Sequence, residues 1–159
     1  MSFVSNDLSG LASFQKIDWS YFEEICAIIA TDNLVHFYDC HGIQIYEDSI
    51  KKKGRASSLA WSLHNNTLAI GWNDGIITLW NNGNQINSQS LLKGSINLLA
   101  WHPLLPLLLS ATDVGDVCCW DCSSTNAILP LFHGSIPNVL FNFAQWIPRE
   151  SPYAFLTTT

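Results

Sequence analysis

Charge is scarce in this chain. Of 159 residues, 7 are Lys or Arg and 13 are Asp or Glu, together 13%, against about a quarter in a typical globular domain. A surface so poor in charge is expected to be partly covered by something else. The net charge of −6 gives no positive field for wholesale phosphate neutralisation, which argues against nucleic acid as a partner. No apolar run approaches the roughly 20 residues that a membrane helix needs. The longest, Leu104 to Leu109, is short and contains Pro106. The opening MSFVSNDLSG has no basic stretch leading into an apolar one, so it does not read as a signal peptide. Helical periodicity is also missing, and no segment carries helix caps at both ends. Five cysteines (Cys26, Cys40, Cys118, Cys119 and Cys122) without a secretory signal read as reduced thiols of an intracellular protein.

What the chain has is hydrophobicity and repetition. Hydrophobic residues make up 48%, enough to build a packed core. Gly54, Gly94 and Gly134 recur every 40 residues, each followed seven positions later by an aromatic: Trp61, Trp101 and Phe141. Trp80 and Trp120 form a second series with the same period, and Gly75 and Gly115 stand five positions before them. Residues 54–93 align on 94–133 without a gap. An earlier copy is offset by 42, because Trp19 precedes Trp61 and Tyr38 precedes Trp80 by that number. A fixed period of this length marks a repeat architecture.

Each unit reads as four short strands. In the second unit they are expected at about 56–62, 66–72, 76–81 and 84–92; in the third, at about 96–102, 105–112, 116–121 and 127–132. Strand cores such as ICAIIA, LAIGW and IITLW are β-branched or aromatic. Asn73-Asp74-Gly75 and Asn82-Gly83 are turn signals, since glycine accepts positive φ. Four antiparallel strands in 40 residues make the blade of a β-propeller. The fold class is therefore all-β, with blades at about 12–53, 54–93 and 94–133 and an incomplete fourth at 134–159. The aromatics are expected to fill the space between stacked blades, where removing one costs about 3–5 kcal/mol.

The pattern resembles WD40 repeats. Trp120-Asp121 is the name-giving dipeptide, with Trp80-Asn81 and Tyr38-Asp39 as weaker versions. Asp74-Gly75 matches the acidic turn before the third strand, and Gly54, Gly94 and Gly134 match the glycine of the Gly-His pair. The histidine is replaced by Arg55, Ser95 and Ser135, so the His-centred buried tetrad of that family is expected to be incomplete. Val114 stands where the third unit would have its turn acid, with Asp113 one place away. More narrowly, RASSLAWSLHNNTLAIGWNDGIITLW (Arg55 to Trp80) is similar to the second blade of the first propeller in intraflagellar transport complex A subunits, the 140-kilodalton class above all. Gly71-Trp72-Asn73-Asp74-Gly75 carries that likeness. It implies a scaffold acting with other complex A subunits in retrograde ciliary transport and cilium assembly, at the axoneme or basal body. The alternative is a WD40 adaptor of the cytoplasm, in trafficking, ubiquitin ligation or RNA processing.

Closed propellers have about four to eight blades, so three and a half predict a piece of a longer protein, one that exposes sheet faces and tends to aggregate. Catalysis is not expected. No phosphate loop, serine elbow or paired-carboxylate motif is present, and no cofactor is implied. Cys118-Cys119-x-x-Cys122 has the look of a metal site, but adjacent strand residues face opposite ways and a second ligand pair is missing. The five histidines lack ligand spacing. Lys51-Lys52-Lys53 with Arg55 is the one basic cluster, read as a solvated loop rather than a membrane contact. The expected partners are proteins, and Trp72, beside a β-turn, is the candidate contact residue.

Overall fold

A computed structural model describes residues 14–50, 52, 54–147 and 154–158. There is no helix among them. Three antiparallel four-stranded sheets follow one another along the chain, each with its strands in sequence order. The first contains β1 (Phe14–Trp19), β2 (Ile25–Ala30), β3 (Val35–Asp39) and β4 (Gln44–Ile50). The second contains β5 (Ala56–Trp61), β6 (Leu68–Trp72), β7 (Ile77–Asn81) and β8 (Asn84–Asn87). The third contains β9 (Ile96–Trp101), β10 (Leu107–Thr112), β11 (Asp116–Asp121) and β12 (Leu129–Ser135). A two-stranded sheet of β13 (Phe141–Trp146) and β14 (Ala154–Thr158) follows. This is a partial β-propeller.

Strand alternation explains why the middle strands are apolar throughout. Successive side chains point to opposite faces, and here both faces are covered by a neighbouring sheet. Leu68, Ile70 and Trp72 of β6 join Ile25, Ala27, Ile29, Val35 and Phe37 in a core between the first and second sheets. Ala69, from the opposite face of β6, joins Ile96, Trp101, Leu108 and Trp120 in a core between the second and third. A third core sets Leu107, Leu109 and Ala111 against Phe141 and Trp146. Cys118 and Cys119 accordingly enter different cores.

Aromatic geometry closes the first core. Phe37 stacks on Trp80 with ring centroids 4.3 Å apart, and Trp61 meets Trp80 edge-on at 6.2 Å. Close approach between the second and third sheets is permitted by Gly71, since a Cβ there would run into Ser58 and Ile96. Gly75 (φ +78°) and Gly115 (φ +93°) turn the chain between the second and third strands of their sheets. A side chain at either would also strike a backbone carbonyl, that of Leu92 or of Ile136.

The third sheet departs from the period expected of it. Asn82-Gly83 is a two-residue connection, whereas residues 122–128 make the corresponding link seven residues long. The five extra residues carry Gly134 into β12, paired with Val117, and away from the position that Gly94 occupies between sheets. Gly134 and Phe141 are therefore not the third members of the glycine and tryptophan series. The coincidence at 40 residues arises because a glycine and a phenylalanine that follow the lengthened connection fall by chance on the old spacing.

Candidate functional site

The repeated chemistry lies where one sheet meets the next. Trp61 donates its indole N–H to the carbonyl of Asp18 at 3.1 Å. Trp101 donates to the carbonyl of Ala60 at 2.9 Å, and Trp146 to that of Ala100 at 2.8 Å. Each acceptor is the residue just before the tryptophan of the preceding sheet, so the series runs Trp19, Trp61, Trp101, Trp146. A second relay runs parallel to it. Ser57 donates to the carbonyl of Ile96 at 2.7 Å, and Asn97 to that of Phe141 at 2.8 Å. Phe141 is thus the counterpart of Ile96. These bonds tie the first strands of neighbouring sheets together, with orientation that apolar packing alone would not specify.

Trp61, Trp80, Trp101 and Trp120 are buried, but Trp19, first in the series, is 41% exposed. The indole of Trp120 donates to Ser110 at 2.8 Å, and the Ser110 hydroxyl reaches the carbonyl of Cys118 at 3.4 Å. That buried pair stands without a histidine between them. Asp121 accepts from the backbone of Ser123, and its carboxyl is held below the ordinary range by the Ser123 side chain and backbone.

Trp72 requires correction. It is 0% exposed, because it shares a strand face with Leu68 and Ile70, four and two positions away. Its indole N–H donates to the Thr78 hydroxyl at 2.8 Å, and Lys52 covers its ring at 5.3 Å. It is a core residue and offers no surface to a partner.

At the end of the sheets that carries the turns between second and third strands, Asn73 and Asp113 do the holding. Asn73 accepts from the N–H of Arg55 at 2.9 Å and returns its own N–H to the Arg55 carbonyl at 3.0 Å. Asp113 repeats this with Ser95 at 2.8 and 3.0 Å. Gly54 and Gly94 lie directly against these side chains, which leaves no room for a Cβ. The turn acid expected at Asp74 and lost at Val114 plays a different part. Asp74 faces outward and pairs with Lys52 at 2.8 Å. Partial burial opposes ionisation of Asp74, but the Lys52 hydrogen bond and the N–H of Ile76 lower its pKa overall. Lys52 is therefore spoken for; Arg55 is exposed, and Lys51 and Lys53 lie outside the described residues.

The opposite end carries the turns between first and second strands, and these share one design. The residue after Trp19, Trp61 and Trp101 caps its turn. Ser20 accepts from Phe22 and Glu23 at 3.2 Å each. Ser62 accepts from His64 at 3.1 Å, and Nδ1 of His102 accepts from Leu104 and Leu105 at 3.0 Å each. Neighbouring turns are also tied together. Ser20 donates to Asn66 at 3.1 Å, and Nε2 of His64 donates to the carbonyl of His102 at 2.8 Å. Beside them lies a groove of about 900 Å³ between β8 and the 122–126 loop, lined by Asn65, Asn84, Gln85, Asn87 and other uncharged groups.

Cys118 and Cys122 are poor nucleophiles. Burial, with Cys119 adding to it, pushes the Cys118 thiol up to about 12, and burial does the same for Cys122. No cluster of His, Cys, Asp or Glu among the described residues could hold a metal. The tryptophan relay, the caps and Asn73 with Asp113 were not singled out from sequence. Their trace there is a polar residue after Trp19, Trp61 and Trp101 and an Asn or Asp two places before the turn glycine.

A family model described as the IFT140 first beta-propeller matches residues 6–140. Among curated proteins nothing matches. Two solved structures share the fold. One is a chain of the crystal structure of the mitotic checkpoint complex, with TM-score 0.68, 15% identity, and 83% of this chain covered against 41% of that one. The other is Sqt1 of Chaetomium thermophilum, with TM-score 0.69, 20% identity, and 84% covered against 38%. The chain thus spans about two fifths of each of those chains. The match over residues 6–140 takes in all three four-stranded sheets, and by it this chain belongs to the IFT140 first beta-propeller family.

Proposed function

We propose that this chain is a non-catalytic scaffold for protein–protein contacts that works with subunits of intraflagellar transport complex A. Its place is the cilium, at the axoneme or basal body, in retrograde transport and cilium assembly. The family match across residues 6–140 carries the reading. The physical observations agree with it. The buried polar groups described above join neighbouring sheets or brace strands within one sheet, and burial raises the pKa of the Cys118 and Cys122 thiols. Low charge, 13% of residues, suits a surface largely given to other proteins. Contact with nucleic acid or a membrane has little support, since Lys52 is already paired with Asp74.

The test is affinity purification of the tagged chain from ciliated cells. Recovery of complex A subunits, with the chain located at the axoneme or basal body, is the expected result. A cytoplasmic chain recovered with no complex A subunit refutes the ciliary reading and leaves the general WD40 adaptor.

A further inference from the structure

The two ends of the stacked sheets differ in charge and in polarity. Among the described residues, the turns at the capped end comprise residues 18–24, 39–43, 61–67, 81–84, 101–106 and 121–128. These contain Asp18, Glu23, Glu24, Asp39 and Asp121 but no Lys or Arg. Lys52, Arg55 and Lys93 all fall in connections at the other end. The tips of the capped turns are apolar and open to solvent: Tyr21 is 68% exposed, Phe22 53%, Leu63 37% and Leu104 55%. At the other end the tips are Asp32-Asn33, Asn73-Asp74 and Asp113-Val114. Isolated exposed apolar residues are ordinary. Here they recur in three successive turns, and the turns are locked to one another through Ser20–Asn66 and His64–His102. Preorganised tips lose little freedom when a partner covers them.

We propose that this rim is a docking surface for a protein segment that presents aliphatic or aromatic side chains flanked by Lys or Arg. The apolar side chains cover Tyr21, Phe22, Leu63 and Leu104, and the basic residues meet Glu23 and Glu24 beside them. Charge complementarity selects this occupant, because an acidic or neutral apolar segment would meet like charge or gain nothing from the carboxylates. The inference rests on the scaffold reading but not on the ciliary one.

The probe is a short synthetic peptide with leucines and a phenylalanine between lysines, compared with the same peptide carrying glutamate in place of lysine. Binding is followed by amide shifts of the ¹⁵N-labelled whole chain. The lysine peptide is expected to shift residues 20–24, 62–67 and 102–106, and the glutamate peptide to bind at least about tenfold more weakly. Phe22→Ser with Leu104→Ser, and Glu23→Lys with Glu24→Lys, should each weaken the lysine peptide by about tenfold or more. Val114→Ser at the far end should leave it unchanged. These side chains are solvent-exposed, so retained amide dispersion reports that each variant is folded. Equal binding of both peptides, shifts confined to Val114 and Ile136 or to sheet edges, or unchanged binding by both double variants overturns the proposal. Failure of the lysine peptide to bind, with complex A still recovered by the wild-type chain, would remove the rim and spare the scaffold reading. Failure of the wild-type chain to recover complex A would remove the ciliary reading and leave the peptide result standing.

Discussion

Trp146 donates its indole N–H to the carbonyl of Ala100 at 2.8 Å, reproducing 45 residues downstream the bond that Trp101 makes to Ala60. The same offset separates Phe141 from Ile96, whose carbonyls receive equivalent bonds from Asn97 and Ser57. Two independent contacts therefore give one register. The third unit is five residues longer than the second, and the difference lies in the 122–128 connection.

The relay predicts unequal tryptophans. Trp61→Phe, Trp101→Phe and Trp146→Phe each leave a carbonyl at a sheet joint without its donor and should cost about 1–2 kcal/mol. Trp19→Phe, exposed and with no acceptor among the described residues, should change stability by less than about 0.5 kcal/mol. Urea unfolding of the four variants measures this, and equal losses at all four positions would remove the relay from the account.

Two aspartates should respond to acid in opposite directions. Burial raises the pKa of Asp18, partly offset by the N–H groups of Trp61 and Trp19. Its contribution is fully present below the unfolded value and is lost as pH rises through the raised one. The Ser135 side chain and the N–H of Lys93 lower the pKa of Asp116, whose contribution is present above the unfolded value and lost as pH falls. Asp18→Asn should therefore gain stability over wild type as pH is raised from about 3 to 6, and Asp116→Asn should lose it. Thermal melts across that range give the two signs.

The strands were legible because alternation, β-branching and turn glycines act locally. Residues 68–72 and 116–121 needed no knowledge of their neighbours to be read as strands. Position in the repeat was harder. Gly134 and Phe141 keep a 40-residue spacing by coincidence, and only contacts across the joint reveal that Trp146 holds the tryptophan place. Trp72 was misread for a related reason: closeness to a turn says little about exposure when both faces of a sheet are covered. The caps at Ser20 and Ser62 share a residue type, but His102 takes the same hydrogen-bonding role through a ring nitrogen, so the third cap does not align by identity.

Gly115 separates two kinds of turn cost. Gly115→Ala combines positive φ with a collision against the Ile136 carbonyl and should cost about 2–3 kcal/mol. Gly83→Ala has a similar φ of +90° with no atom within 4 Å of the added carbon, and should cost about 1 kcal/mol. Chemical unfolding of the pair checks the difference; a Gly83 variant as damaged as the Gly115 one would contradict the contact argument.

Thiol chemistry should single out Cys40. It is exposed, and although the bond to Glu24 raises its pKa, no packing bars reagent from it. Cys118 and Cys122 are held up to about 12 by burial. Iodoacetamide at neutral pH should modify Cys40 first in the folded chain and reach the other four only in urea, as read by peptide mass. Early modification of Cys118 would show that the second and third sheets do not pack as described.

The most direct measurement is hydrogen exchange at the tryptophan indoles, by NMR of ¹⁵N-tryptophan-labelled protein with peaks assigned through single Trp→Phe variants. If stacked sheets are joined by indole-to-carbonyl bonds, the signals of Trp61, Trp101 and Trp146 exchange slowly while that of Trp19 exchanges at the rate of an open side chain. A Trp146 indole that exchanges as fast as Trp19 would contradict the stacked arrangement and the register built on it.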